Sequence, residues 1–191
     1  MTTVVFDVGE TLVDETAMWE RAAAAAGVPA FTLMGVLGGL AARGDRHSRV
    51  WEILGVEQPE STWSEEDFYP DALPCLRDLR SRGLRVGAAG NVPAGYEEPL
   101  REHVEMLGSS GLWGVEKPAA GFFERLAVEA GVPPEEIAYV GDRVDNDVEP
   151  ALAAGMVAVH IRRGPWGHLH APPAGALRIH GLDELPEALG A

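Results

Sequence analysis

The chain is short of the residues that would tie it to an oxidising compartment, a membrane or a polyanion. Cys75 is its only cysteine, so no internal disulfide can form, as expected in a reducing compartment. No uninterrupted apolar run approaches the ~20 residues that span a bilayer. Strand-like patterning begins almost at Met1, which leaves no room for a signal peptide ahead of it. The expectation is a cytoplasmic protein with no membrane partner. Basic side chains are scarce, 15 Lys and Arg against 30 Asp and Glu, for a net charge of −15. With no basic stripe to neutralise phosphates, a nucleic-acid partner is not expected. A small phosphorylated molecule stays open, because a bound divalent cation can reverse the local field.

Lysine is the scarcest of all. Lys117 is the only one, and every other basic side chain is Arg or His. It stands just ahead of Pro118 and a helical pattern. A solvated helix start is the bland alternative. Function is the stronger reading, since a compact ammonium on a flexible stem can balance carboxylates and a phosphoryl group as a point charge.

What is present is an alternation. The 191 residues suffice for one domain with a modest insertion. Strand-type runs recur at 3–6, 84–89, around 112–113, at 137–140 and at 156–161, with helical patterns between them. That order predicts an α/β fold with a parallel sheet and crossover helices. Asp71 with Leu73, Leu76, Leu79 and Gly83 has a cap, an apolar stripe and a stop, and Phe122, Phe123, Leu126 and Ala130 before Gly131 repeat the design. From 15 to 69 strand signals vanish. Helical stretches at 18–26, 31–43 and 48–54 replace them, and the alanine run from Ala22 reads as helix and not linker. Trp19, Trp51 and Trp63 fall in this segment, where most should be core, with one or two free to shape a cleft.

The most informative string is Gly141-Asp142-Arg143-Val144-Asp145-Asn146-Asp147, after the apolar run at 137–140 and ahead of a helical pattern ending at Gly155. Asp142 and Asp147 at a strand-to-helix junction are hard oxygen donors of the kind Mg²⁺ prefers. At the carboxyl end of a strand they would sit where α/β sheets bind ligands. Alone, the string also fits a solvated turn. A second apolar run ending in a carboxylate, Val4-Val5-Phe6-Asp7, tips the balance.

Taken together these segments resemble the haloacid dehalogenase-like (HAD) superfamily of phosphohydrolases, in its phosphatase-type subgroup with a small C1-type helical cap. Asp7 matches the family's nucleophile, Thr11 its motif threonine, Lys117-Pro118 its motif-three lysine, and Asp142 and Asp147 its acidic metal motif. The resemblance implies a Rossmann-like core from 1–14 and 70–191, with an inserted helical cap at 15–69. It implies Mg²⁺ bound by Asp7, the Gly9 carbonyl, Asp142 and Asp147, with Lys117 holding Asp7 ionised. It implies a small phosphorylated metabolite hydrolysed through an aspartyl-phosphate on Asp7, with Thr11, Gly90 and Asn91 on the substrate side.

Two positions depart from the family pattern. Gly9 stands where a general-acid Asp is usual, and losing such an acid typically costs about 10²–10⁴-fold in rate. Turnover is therefore expected to favour acidic leaving groups, and Gly9→Asp to raise alkyl-phosphate turnover if the backbone accepts it. Glu10 and Asp14 are the nearest replacements in sequence, at offsets that should point elsewhere. Gly90-Asn91 stands where the second motif has Ser or Thr. Gly90 also reads as a turn glycine with positive φ, and backbone N–H groups or Asn91 would have to serve instead.

The competing readings are a catalytically weak or inactive HAD-fold protein that binds a phosphometabolite or a partner, and, third, a haloacid dehalogenase. The Asp142–Asp147 pair argues against dehalogenation, and the absence of lysine from 15–69 excludes a cap-borne Schiff base. In the tail, Arg162 and Arg163 are weak substrate candidates, and His168 and His170 read as solvated.

Overall fold

The computed structural model describes all 191 residues. Six strands form one sheet: β1 Thr3–Phe6, β2 Arg85–Gly90, β3 Met106–Ser109, β4 Ile137–Gly141, β5 Val157–Ile161 and β6 Leu177–Ile179. Their spatial order is β3-β2-β1-β4-β5-β6, and every pair is parallel. Parallel neighbours need crossovers, and the helices supply them. In chain order these are α1 Thr16–Ala25, α2 Ala30–Ala42, α3 Arg49–Leu54, α4 Ala72–Ser81, α5 Ser110–Trp113, α6 Ala120–Ala130, α7 Glu149–Ala153, α8 Gly164–Leu169 and α9 Leu185–Ala188. This is the α/β, Rossmann-like sheet that the alternation predicts. No single helix is long and apolar enough to cross a membrane.

Strand alternation splits the core in two. Val4 and Phe6 join Leu76 and Leu79 of α4 and Leu185 of α9 on one face. Val5 joins Phe122, Phe123 and Leu126 of α6 and Ala151 of α7 on the other. Helices α4 and α6 fall where their apolar stripes place them, and Gly131 ends α6 in the left-handed conformation.

The sheet has its topological switch at β1. The chain crosses to β2 on one side and returns to β4 on the other, so a crevice opens beyond the carboxyl end of β1. Helices α1, α2 and α3 lie between β1 and α4 and pack chiefly on one another, through Ala22, Leu33, Leu37, Leu40 and Trp51. Trp166 of α8 joins that cluster, whereas Trp63 packs with the sheet-side core.

One local expectation is corrected, and two elements went unread. The strand expected around 112–113 is the short helix α5, and β3 lies just ahead of it. The aromatic signal misleads because Trp113 folds back, its ring lying over the backbone at Gly108 and 5.0 Å from Phe122. Strand β6 is too short to leave a pattern in the sequence. The tail around His168 forms the short helix α8.

Candidate active site

Asp7 follows β1 directly, and its N–H donates to the Val140 carbonyl at 2.8 Å, so strand pairing carries on to the carboxylate itself. Asp142 follows β4, the neighbour of β1, which puts both side chains at the same edge. The chain then enters a wide turn over Val144–Val148, and this brings Asp147 back beneath the strand ends. Ligand oxygens of Asp7, Asp142 and Asp147 all lie within 4.8 Å of one another, and all three residues are buried.

Lys117 arrives from the loop ahead of α6. Its Nζ lies 2.7 Å from Asp7 Oδ1 and 2.5 Å from Asp147 Oδ1. The ring of Tyr139 lies 5.5 Å from that ammonium and the ring of Phe122 5.9 Å. Asn91, just beyond β2, clamps the lysine by its backbone: Asn91 Nδ2 donates to the Lys117 carbonyl at 2.9 Å, and the Lys117 N–H donates to Asn91 Oδ1 at 2.8 Å. Asp147 Oδ2 accepts the Arg143 N–H at 2.9 Å.

Charge is unbalanced in this group. Burial pulls the Lys117 ammonium toward losing its proton, but Asp147 and Asp7 outweigh burial and hold its pKa well above the usual lysine value. Burial, with Asp147 and Asp7 nearby, pushes Asp142 well above the ordinary carboxylate range. Burial likewise lifts Asp147 to about 6, against the pull of Lys117. One ammonium cannot neutralise three buried carboxylates. Hard oxygen donors at this spacing with surplus negative charge fit a divalent cation such as Mg²⁺.

Above the group lies a cleft of about 810 Å³, walled by residues of both the sheet edge and the helical segment. Trp19 of α1 and His47, ahead of α3, face Trp166 of α8, with His47 6.0 Å from the Trp19 ring and 6.3 Å from the Trp166 ring. Burial, with Arg143 and Arg46 beside it, lowers the His47 pKa and keeps the imidazole neutral. Arg46 reaches Glu116 across the opening at 3.7 Å, and the Arg143 guanidinium lies 4.9 Å from the Trp166 ring. Glu15, ahead of α1, also lines the cleft; burial and then Glu10 raise its pKa to about 8.

Residues 1–155 match the family of haloacid dehalogenase-like hydrolases. The chain belongs to that family. Among curated relatives, it is 42% identical to a glyceraldehyde 3-phosphate phosphatase of Methanopyrus kandleri over 51% of this chain and 45% of that protein. It is 37% identical to a phosphoserine phosphatase of Thermus thermophilus over 51% of this chain and 41% of that one. The chain thus spans about half the length of the curated relatives it matches. An L-2-haloacid dehalogenase structure superposes with a TM-score of 0.75 at 19% identity, covering 100% of this chain and 99% of that one, which shows the shared fold.

Within this haloacid dehalogenase-like frame, the expected site residues divide. Asp7, Lys117, Asp142 and Asp147 come together, though Lys117 pairs with Asp7 and Asp147 and not with Asp142. Gly90 ends β2 without a positive φ, so the turn-glycine explanation is corrected. A Cβ there would lie 2.6 Å from Asp7 Oδ1, and the close approach of the carboxylate accounts for the missing side chain. Asn91 lines the cleft, but its amide is engaged on both sides by Lys117, which makes it a positioning residue. Thr11 is fully buried and does not line the cleft. Arg163 is structural as well: its guanidinium donates to the Thr11 carbonyl at 2.9 Å, bonds Asp71 and stacks 4.1 Å from the Tyr69 ring. Neither it nor Arg162 lines the cleft.

Sequence reasoning missed Glu15, Arg46 and His47. Glu15 Oε2 accepts the Trp19 indole N–H at 3.1 Å, and this i,i+4 pairing of a carboxylate with an aromatic was the one legible trace. Nothing in the sequence distinguishes Arg46 or His47 from other polar residues ahead of α3.

Proposed function

We propose that this chain is a Mg²⁺-dependent phosphatase acting on a small phosphorylated metabolite through an aspartyl-phosphate on Asp7. What carries this reading is the Lys117 ammonium bonded to both Asp7 and Asp147, with Asp142 in the same group at the end of β1. Asp7 is the nucleophile: its carboxylate faces the cleft, fixed by backbone pairing on one side and Lys117 on the other. Attack on phosphorus forms the Asp7–phosphoryl bond and expels the ester oxygen, and water then hydrolyses the acyl phosphate. Asp7, Asp142 and Asp147 would hold the ion. When bound, it neutralises charge on the phosphoryl oxygens. Lys117 adds a second positive point at that place and keeps Asp7 and Asp147 apart from direct repulsion.

The substrate class follows from the relatives, which are named for small phosphate monoesters, and from the walls of the cleft. Arg46 and Arg143 suit an anionic substrate, while Trp19 and Trp166 limit its bulk. Gly9 and Gly90 support a second reading, a protein that binds a phosphometabolite with little turnover. Dehalogenation is disfavoured by the three clustered carboxylates, which suit a cation better than a metal-free attack on carbon.

The test is a phosphatase screen with Mg²⁺ across metabolites of two to six carbons, with Asp7→Asn as control. Turnover that needs Mg²⁺ and is abolished in Asp7→Asn is the expected result. Silence throughout, with phosphate compounds still raising the melting temperature, favours the binding reading.

A further inference from the structure

Resting on the phosphatase reading, we infer that the Glu15 carboxyl group is the general acid and base of the reaction, supplied from the start of the helical segment to replace the side chain absent at Gly9. The decisive observation is spatial. A Cβ built on Gly9 would lie 2.8 Å from Glu15 Cδ and 3.5 Å from its Cγ, with Oε1 closer still. The Glu15 carboxyl therefore fills the volume in which an aspartate at position 9 would begin. The φ angle of Gly9 lies outside the left-handed region, so the backbone does not demand glycine there. A side chain at position 9 would have to displace the Glu15 carboxyl.

The carboxyl is held in place. Its Oε2 accepts the Trp19 indole N–H at 3.1 Å, and its own backbone N–H donates to Glu10 Oε1 at 3.2 Å. Oε1 is left on the Gly9 side, in the cleft that Asp7, Lys117 and Asp142 also line. Of the two rivals, Glu10 also lines the cleft, but both its oxygens are engaged. Glu10 also accepts the Tyr69 hydroxyl at 2.7 Å, and Asp14 accepts the Thr16 N–H at 2.9 Å without lining the cleft. A carboxyl offset from the nucleophile by eight residues instead of two thus lies against the point from which a side chain at position 9 would enter the cleft.

The reaction balances with one carboxyl. As the Asp7 oxygen bonds to phosphorus, the phosphorus–ester bond breaks and its electron pair goes to the leaving oxygen. Glu15 gives that oxygen its proton, and a neutral alcohol departs. The Glu15 carboxylate then takes a proton from the water that attacks the aspartyl-phosphate. The phosphorus–Asp7 bond breaks, releasing inorganic phosphate and the free Asp7 carboxylate.

The test compares an aryl phosphate (p-nitrophenyl phosphate), which needs no acid, with an alkyl phosphate (glycerol 3-phosphate), which does. Glu15→Gln keeps the shape and can still accept from Trp19. It is expected to lower alkyl-phosphate kcat by about 10²–10⁴-fold and aryl-phosphate kcat far less. Gly9→Asp with Glu15→Ala is expected to recover alkyl turnover relative to Glu15→Ala. Equal losses on both substrates, or alkyl turnover unchanged in Glu15→Gln, overturn the inference while leaving the phosphatase reading standing. Silence of the wild-type protein across the whole metabolite screen overturns the two together.

Discussion

Lys117 is the residue on which the site turns. It is the only lysine in the chain and lies between two buried carboxylates. Lys117→Met is expected to lower kcat by at least about 10²–10³-fold, the scale of losing one preorganised electrostatic contact. In EDTA the same change leaves Asp7 and Asp147 facing each other unpaired, so urea unfolding should show a loss of about 3–5 kcal/mol. Lys117→Arg should not restore turnover, because a planar fork does not fit a slot walled by Tyr139 and Phe122. Full activity in either variant would remove Lys117 from the site. Asn91 makes the complementary case. Asn91→Ala leaves the Lys117 N–H and carbonyl without their side-chain partner, for a stability loss of about 1–3 kcal/mol. Its kcat should fall more than its KM changes, since the amide orients the lysine and does not hold the substrate.

Among the elements, helix α8 sets how the helical segment meets the sheet. Trp166 is buried in the cluster formed by α1, α2 and α3, and its ring also supports Arg143 and His47. Trp166→Ala is expected to cost about 3–5 kcal/mol and to raise KM, as the wall carrying His47 loses its backing. Unchanged melting temperature and KM would show that the segment is held by other contacts. Arg163 lies next to the same helix with a different task, joining the loop after β1 to Asp71 at the start of α4. Arg163→Met should lower stability measurably while kcat per folded molecule stays within about threefold, the scale of a surface-distant change. A selective rise in KM would instead return Arg163 to the substrate.

The whole molecule concentrates unfavourable carboxylates at one edge, which makes its stability depend on pH and cation. Burial raises Glu15 from 4.5 to about 8 and Asp147 from 3.8 to about 6. Between those values the folded protein holds protons that the unfolded chain has released. The stability they contribute is therefore complete at about pH 4 and lost as pH rises toward 8. In EDTA, the melting temperature is expected to fall across that range, with a flatter profile above pH 6 in Glu15→Gln. Mg²⁺ should restore stability most at the alkaline end, by about 2.7 kcal/mol at one hundred times its Kd. A profile that rises with pH in EDTA, or one indifferent to Mg²⁺, would contradict the account of the acidic group.

The amino-acid sequence by itself determined four strands of the sheet, β1, β2, β4 and β5, the covering helices α4 and α6, and the four residues Asp7, Lys117, Asp142 and Asp147. Strand and helix periods are local, and a carboxylate that follows an apolar strand is carried to the ligand edge by any parallel sheet. Edge strand β6 escaped because three residues leave too little pattern, and β3 because the aromatic signal of Trp113, which packs backwards over Gly108, drew the expectation past it. The tertiary structure decided which side chains meet. Asn91 finds Lys117 across 26 positions, and Arg163 turns inward to Asp71 and not to the cleft. Glu15 meets Gly9 across six positions, with Glu10 at a φ of 52° between them. Offset along the chain argued for a missing acid; distance in space supplies one, since packing, and not spacing in sequence, fixes where a carboxyl group lies.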